Sequence, residues 1–469
     1  MVKSADERVD LLQGGPTLKT VHVKTFGCQM NVHDSQRIQE LLATSHGLRS
    51  VERPEEADLV VLNTCHVREK AEEKLFSELG RIRKMHKGSS FIMAVGGCVG
   101  QAEGTHIFRR APYVDIVFGP QNFQRLPELL DRIVQGEKHL TDSDFAVEEK
   151  FEILDSLPTA TEIVAPVTVQ EGCDRFCTFC VVPHTRGREF SRSVEEITKE
   201  VENHLSSGAG EILLLGQNVN AYHGLDQDGV THDLALLIRR LITLSGVDRL
   251  RFVTSHPVDM NDDLVEVFGE FEQLCPYMHL PVQSGSDATL TAMKRGHTID
   301  AYLTWIDRLR AARPDIAIAS DFIVGFPGET EDDFQRTLEL VHRVQYDHAY
   351  SFKYSPRSGT EAAALADDIP EEVKAERLSR LQEVINHYQY AHNKKRVGKV
   401  ESVLVEGVDK RFKGRLTGRT PTFRSVYFDG PESWVGRRVD VMITEGKPNS
   451  LRGRTASTLN TFSPGEQFS

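Results

Sequence analysis

The sequence predicts an α/β protein in three parts: an N-terminal doubly wound parallel sheet, a central partial (β/α)6 barrel of the TIM type, and a small C-terminal OB-like β-barrel. Three observations lead there. Apolar, β-branched runs alternate with helical stretches in the N-terminal part. Six strand-plus-helix units, each of about 30 residues, follow from Ala165 onward. Short strands separated by Gly, Asp and Pro turns close the chain. A length of 469 residues accommodates three such parts, at about 150 residues for an ordinary domain.

Beyond a polar arm, residues 19–136 make the first part. VHVKTFGC, DLVVLNTC and SFIMAVGGC each read as a buried strand ending in a cysteine, namely Cys28, Cys65 and Cys98. Helical stretches at roughly His33–His46 and Arg68–His86 separate them, and YVDIVFG around Asp115 adds a strand. Strand and helix alternating at this length imply parallel strands with right-handed crossovers, whose carboxyl ends share one edge. Three cysteines far apart in sequence are thereby brought to that edge. Singly each would read as core packing; together they suggest a metal site, an iron–sulfur cluster with one iron left open. Cys275 lacks companions and reads as an ordinary buried thiol. Residues 137–160, acidic and weakly patterned, read as a linker.

Residues 161–391 form the central part. Its strand candidates are APVTVQE, EILLLGQ, RLRFVTS, YMHLPVQ, AIASDFIVG and HAYSFKYS. A closed barrel needs eight units, so six predict an open one with a wide lateral mouth. The stretch QEGCDRFCTFCVVPHTRGR follows the first strand at the carboxyl rim and carries Cys173, Cys177 and Cys180 in C-x3-C-x2-C spacing. Three thiolates on one loop can hold three irons of a cubane and leave the fourth for a substrate. Structural zinc would want a second pair of ligands nearby, and the sequence offers none. Polar or Gly-rich groups follow other strands at the same rim: Gly216-Gln217-Asn218, Ser255, Gln283, Asp321 and the Gly325–Gly328 turn. No phosphate-loop or dinucleotide glycine motif occurs, so ATP and NAD chemistry are not indicated.

Residues 394–457 form the third part. The chain as a whole carries a net charge of −13, yet His392–Ser457 holds 15 Lys and Arg against 7 Asp and Glu. A basic module on an acidic body is the asymmetry of an appended RNA-binding domain. Lys410, Arg411, Lys413, Arg415, Arg419 and Arg424 interleave with Phe412, Phe423 and Tyr427, cations for phosphates beside rings for stacking. The tail after Ser457 is expected to be disordered. The sequence has no run of the ~20 apolar residues that span a bilayer, and its N-terminus is too polar for a signal peptide. A cytoplasmic protein without a membrane partner is expected, its seven cysteines serving as ligands rather than in disulfides.

The Cys173–Cys180 loop, with Phe179 just before its last cysteine, resembles the signature of the radical S-adenosylmethionine enzymes. The resemblance implies that the open iron chelates S-adenosyl-L-methionine and that reduction splits it into methionine and a 5′-deoxyadenosyl radical. It also implies that Phe179, Gly216, Gln217, Asn218, Ser255, Gln283 and Asp321 bind that cofactor. From about Lys19 to Thr455 the chain resembles the methylthiotransferase family, whose C-terminal module is called TRAM. TFGCQMNVHDS, NTCHVREKA, CTFCVVPHTRGRE, LGQNVNAY, HLPVQSGSD, SDFIVGFPGET, FKYSPRSGT and PNSLRGRT look like its tRNA-2-methylthio-N6-dimethylallyladenosine synthase branch. Two departures, His184 for a usual Tyr and Ser358 for a usual Pro, touch no cluster ligand.

This resemblance implies two 4Fe-4S clusters, held by Cys28, Cys65 and Cys98 and by Cys173, Cys177 and Cys180, with no catalytic side chain beyond these ligands. It implies methylthiolation of C2 of a prenylated adenosine in a tRNA anticodon stem-loop, driven by an external electron donor and carried out by a monomer. Threonylcarbamoyl adenosine of tRNA, or an aspartate of a ribosomal protein, is the alternative substrate. A noncatalytic iron–sulfur RNA-binding protein is the alternative of another class.

Overall fold

The computed structural model describes residues 18–66, 71–86, 88, 90–145, 147, 150–151 and 162–456. The N-terminal arm, the tail, most of the expected linker and the start of the second predicted helix lie outside them. Contacts divide the chain into two compact units, one of residues 1–158, 171–174 and 181–190, the other of 159–170, 175–180 and 191–469.

The first unit holds six parallel strands: β1 (Thr20–Phe26), β2 (Arg49–Ser50), β3 (Leu59–Thr64), β4 (Ile92–Gly96), β5 (Ile116–Phe118) and β6 (Leu140–Asp142), in the order β2-β1-β3-β4-β5-β6. Adjacent residues of one strand enter different cores. Leu59 and Val61 pack with Ile38, Leu41 and Leu42 of the helix Gln29–His46, while Val60 and Leu62 pack with Leu75, Leu79 and Ile82 of the helix Ala71–Met85. Both faces of the sheet are therefore covered, which is why these strands are apolar throughout rather than alternating. β6 corrects the linker expected at 137–160: Leu140–Asp142 pairs with Ile116–Phe118 as the sheet's last strand. Its sequence, LTD, is too short and polar to show the period of a strand.

The second unit contains the six expected barrel strands, β7 (Val164–Thr168), β10 (Glu211–Leu215), β13 (Leu250–Phe252), β14 (Tyr277–His279), β15 (Ala317–Val324) and β16 (His348–Lys353). They pair in parallel as β7-β10-β13 and β14-β15-β16, and a parallel bridge from Leu250 to Leu274 spans the gap between the two triplets. Two ribbons interrupt them: β8 (Gln170–Glu171) with β9 (Phe190–Ser191) at the base of the cysteine loop, and β11 (His223–Leu225) with β12 (Thr231–Asp233). The strands β17 (Val400–Val408), β18 (Arg415–Arg419), β19 (Ser425–Asp429), β20 (Arg438–Gly446) and β21 (Leu451–Thr455) close into a small barrel ordered β17-β18-β19-β21-β20. It packs on the amino ends of the larger barrel's strands. Arg249 Nη2 donates to Ser402 O at 2.7 Å, and Arg251 Nη1 to Pro421 O at 2.9 Å. The Phe423 ring stands 5.0 Å from that of Tyr277 and forms the floor of the larger barrel.

Candidate active site

Cys28, Cys65 and Cys98 lie two, one and two residues past the ends of β1, β3 and β4. The strand ends converge because their glycines permit it. A Cβ on Gly27 would stand 2.7 Å from Cys65 Cβ, and one on Gly97, at φ +86°, would strike Asn63 and the Thr64 backbone. Cys65 N donates to Phe26 O at 2.7 Å, locking the β1 and β3 ends together. Two buried asparagines then fix the Cys28 thiol. Cys28 Sγ donates to Asn31 Oδ1 (3.2 Å), Asn31 Nδ2 to Asn63 Oδ1 (3.2 Å), and Asn63 Nδ2 to Asn31 O and Ser35 Oγ, each at 2.9 Å. A hydrogen bond from Cys65 brings the Cys28 thiol down to about 6, against the upward pull of burial; burial pushes Cys98 up despite the Arg186 guanidinium beside it.

Arg186 belongs to a buried quartet of charges. Its Nη1 reaches Glu171 Oε1 and its Nη2 reaches Asp34 Oδ2, both at 2.7 Å, while Lys150 Nζ donates to Glu171 Oε2 at 2.8 Å and to Asp34 Oδ1 at 3.2 Å. Two cations answer two carboxylates with every side chain nearly dry. Burial works against the charged Asp34, but Lys150 and Arg186 outweigh it and hold its carboxyl below the ordinary range. The sequence reading missed Asn31, Asn63 and this quartet. Asn63, polar and 1% exposed inside the apolar run LVVLNT, was the one signal available.

The second cysteine set sits on one loop. Gly172 at φ +78° lets the chain turn under Arg188 O, and Cys173 N donates to Gly187 O at 3.2 Å. Cys180 N donates to Cys177 O at 2.9 Å, so the two thiols flank a tight turn. Arg295, anchored through Nη2 on Pro281 O at 2.6 Å, places its Nη1 3.4 Å from Cys177 Sγ, and His256 Nε2 lies 3.9 Å from the same sulfur. Burial, then the Arg295 charge, drive the His256 ring to about 2, so it stays neutral beside the thiol. Phe179 packs on the cluster of Met293, Phe326, Tyr354 and Ala362 and holds the turn in place. Among the described residues no three Cys, His, Asp or Glu side chains converge closely enough for a single ion; sulfurs around a cubane stand farther apart than around one ion.

The polar groups at the rim divide. Gln170 Oε1 accepts from the backbone N–H of Gln217 (2.9 Å) and Asn218 (3.1 Å), and a Cβ on Gly216 would meet that same oxygen, so this turn offers side chains rather than backbone to a ligand. Asn218 donates through Nδ2 to Asp259 at 2.8 Å. Its Oδ1, and Ser255 Oγ, are buried without a hydrogen-bond partner among the described residues. Gln283, at φ +77°, ends a loop stitched to β15 by Gln283 N to Asp321 O and Ile323 N to Gln283 O, both 2.9 Å. Asp321 departs from expectation. It lies within β15, opposite Tyr350, with His279 Nε2 3.3 Å from its carboxylate, and so faces the barrel interior below the rim. A cavity of about 440 Å³ lined by Arg310, Pro314, Asp347 and His392 lies at the amino ends of β15 and β16, away from this chemistry.

On the small barrel, Lys410, Arg411 and Lys413 are exposed in the β17–β18 turn with Phe412, and Arg415 stacks over the Phe412 ring at 4.2 Å. Arg419 is turned to Glu406 and the Phe423 ring, at 3.4 and 4.3 Å. Arg424 must be removed from the RNA-facing set. It is 2% exposed, donating to Asn393 Oδ1 at 2.6 Å and to Asp347, so its charge is consumed in packing the two barrels. No helix among the described residues is long and apolar enough to cross a membrane.

Comparison with known proteins meets this geometry part by part. Residues 20–119 match the uncharacterized protein family UPF0004, residues 167–341 the radical SAM superfamily, and residues 394–456 the TRAM domain. Among solved structures, a radical S-adenosylmethionine methyltransferase, TsrM from Kitasatospora setae, shares the fold with a TM-score of 0.54 at 14% identity, over 74% of this chain and 75% of that one. Among curated proteins, the tRNA-2-methylthio-N(6)-dimethylallyladenosine synthase of Magnetococcus marinus is 59% identical over 439 residues, 93% of this chain and 100% of the relative. That of Rickettsia bellii is 51% identical over 442 residues, 93% and 99% of the two. With three matching regions in the same order and full-length relatives at this identity, the chain belongs to the tRNA-2-methylthio-N(6)-dimethylallyladenosine synthase family.

Proposed function

We propose that this chain places a methylthio group on C2 of N6-dimethylallyladenosine beside the anticodon of a tRNA, using two 4Fe-4S clusters and two molecules of S-adenosyl-L-methionine. The observation that carries this reading is the pair of cysteine triads, each following the carboxyl ends of parallel strands, in a chain 59% identical to a relative named for that product. Cys28, Cys65 and Cys98 are assigned to an auxiliary cluster, and Cys173, Cys177 and Cys180 to the one that engages S-adenosylmethionine. The donors fit: none of the six is in a disulfide, four are buried, and thiolates are the ligands such clusters take. The buried, unpartnered oxygens of Asn218 and Ser255 fit a polar cofactor at the rim. When bound, clusters and cofactor supply a hydrogen-abstracting radical and a transferable methyl, chemistry that an unactivated aromatic C–H requires and acid–base side chains do not provide.

The chain's own residues prepare the site. Arg295 sets a cation 3.4 Å from the Cys177 sulfur. Phe179, with Gly216, Gln217, Asn218, Ser255 and Gln283, shapes the cofactor rim. Lys410, Arg411 and Lys413 beside Phe412 offer charge to phosphates and a ring to an unstacked base of the anticodon stem-loop. The protein works as a cytoplasmic monomer and takes its electrons from an external donor. The test is anaerobic reconstitution, incubation with S-adenosylmethionine, reductant and prenylated tRNA, and mass spectrometry of the nucleosides. A 2-methylthio product on the prenylated adenosine is expected. Deoxyadenosine without that product would move the substrate to threonylcarbamoyl adenosine or a ribosomal-protein aspartate.

A further inference from the structure

A barrel of this kind is ordinarily filled by layers of side chains pointing inward from its strands. Here, among the described residues, the lower layer is filled and the upper is not. Tyr277, Ala317 and Ala319 pack against Phe423 at the floor. Two and four residues along β15, on the same face, come Asp321 and Ile323, and their register partners on β16 are Tyr350 and Phe352. Ile323 packs in the same cluster as Phe179, so this face looks toward the turn that carries Cys177 and Cys180. Tyr350 is nonetheless 55% exposed and Phe352 51%. Two large rings on one strand face, left open beneath the cofactor rim, mark a binding surface rather than an unfinished core. Beside them stands the carboxylate of Asp321, 3.3 Å from His279 Nε2, a buried nitrogen that makes no hydrogen bond among the described residues.

From this juxtaposition we propose that the β15–β16 face of the barrel interior seats the prenylated adenine, with Tyr350 and Phe352 covering the purine ring and its dimethylallyl chain, and Asp321 accepting a hydrogen bond from the N6–H. The inference rests on the substrate assigned above. Rings on one side of a planar base, with a branched apolar chain beyond it, suit two aromatic side chains spaced two residues apart. A secondary amine N–H suits a carboxylate acceptor at that depth. Asp321 thus reads the substrate rather than S-adenosylmethionine.

The test is a KM and kcat comparison together with binding of anticodon stem-loops that carry either the prenylated or the unmodified adenosine. The native protein should favour the prenylated loop. Tyr350→Ala and Phe352→Ala should each raise the KM for prenylated tRNA roughly tenfold or more and bring the two loops' affinities together, while Tyr350→Phe should restore the preference. Asp321→Asn should weaken the prenylated loop more than the unmodified one. Should the alanine variants fail to fold, Phe352→Asn, a change at a half-exposed position, gives the same readout. If the native protein prefers the prenylated loop and these variants keep that preference, the seat is elsewhere and the inference is overturned. If the native protein shows neither preference nor methylthio product, the assigned substrate itself fails.

Discussion

The two cysteine triads reach comparable positions by opposite routes. Cys173, Cys177 and Cys180 are neighbours in sequence, and one glycine turn with one aromatic anchor suffices to present them. Cys28, Cys65 and Cys98 are gathered from three strands, and their grouping depends on tight glycines, two interlocked asparagines and a buried ionic quartet. One site is a property of a loop and the other of a whole sheet. A loop site tolerates change in the fold that carries it, whereas a site made of strand ends fails when its long-range packing fails.

The largest effect should separate the two by chemistry. Cys177→Ala should abolish deoxyadenosine formation, while Cys65→Ala should leave reductive cleavage of S-adenosylmethionine and abolish the methylthio product. Each variant should also lose about half of its iron. Methylthiolation retained in either would break the two-site comparison. Next in size is the quartet. Arg186→Met strands two buried carboxylates with only Lys150, which should cost about 3–5 kcal/mol in chemical denaturation; a loss below 1 kcal/mol would mean that the sheet edge does not depend on it.

A third comparison sharpens the assignment of basic residues on the small barrel. Replacing Lys410, Arg411 and Lys413 by Ala should reduce the slope of log affinity for tRNA against log salt by roughly 2. Arg424→Ala should leave that slope alone and lower stability instead. The smallest effect concerns two buried carboxyl groups shifted in opposite directions. Burial raises Glu329 to about 7 despite its 2.8 Å pair with Arg377, whereas two cations hold Asp34 low. Glu329 therefore favours the fold fully below its unfolded value of 4.5 and loses that contribution as pH rises through 7. Asp34 contributes above its ordinary 3.8 and loses its share as pH falls. Glu329→Gln should flatten the stability profile between pH 4.5 and 7 and leave the acid limb unchanged.

How much of this was readable in advance follows the same division. The C-x3-C-x2-C loop was legible as a grouping because its three cysteines are neighbours in sequence, and the six barrel strands because each is a strong apolar run bounded by turns. The strand-end triad was legible only through the repeated pattern of run followed by cysteine. The quartet was not, since Asp34, Lys150, Glu171 and Arg186 look like ordinary surface charges until the fold dries them. Leu140–Asp142 was missed because a three-residue edge strand carries no period, and Arg424 was misassigned because charge in a sequence does not reveal which way a side chain turns. Asp321 was placed at the rim by its neighbours' motif; the strand simply runs three residues farther.

Phe423 has a consequence for how such proteins can be rebuilt. The small barrel contributes the plug in the floor of the larger one, and Arg249 and Arg251 are bound to its backbone. It is therefore a stopper as well as the proposed grip on RNA. A chimera that exchanged this module for another nucleic-acid-binding domain would inherit an uncorked catalytic barrel, so any transplant must carry the Thr420–Arg424 loop with it.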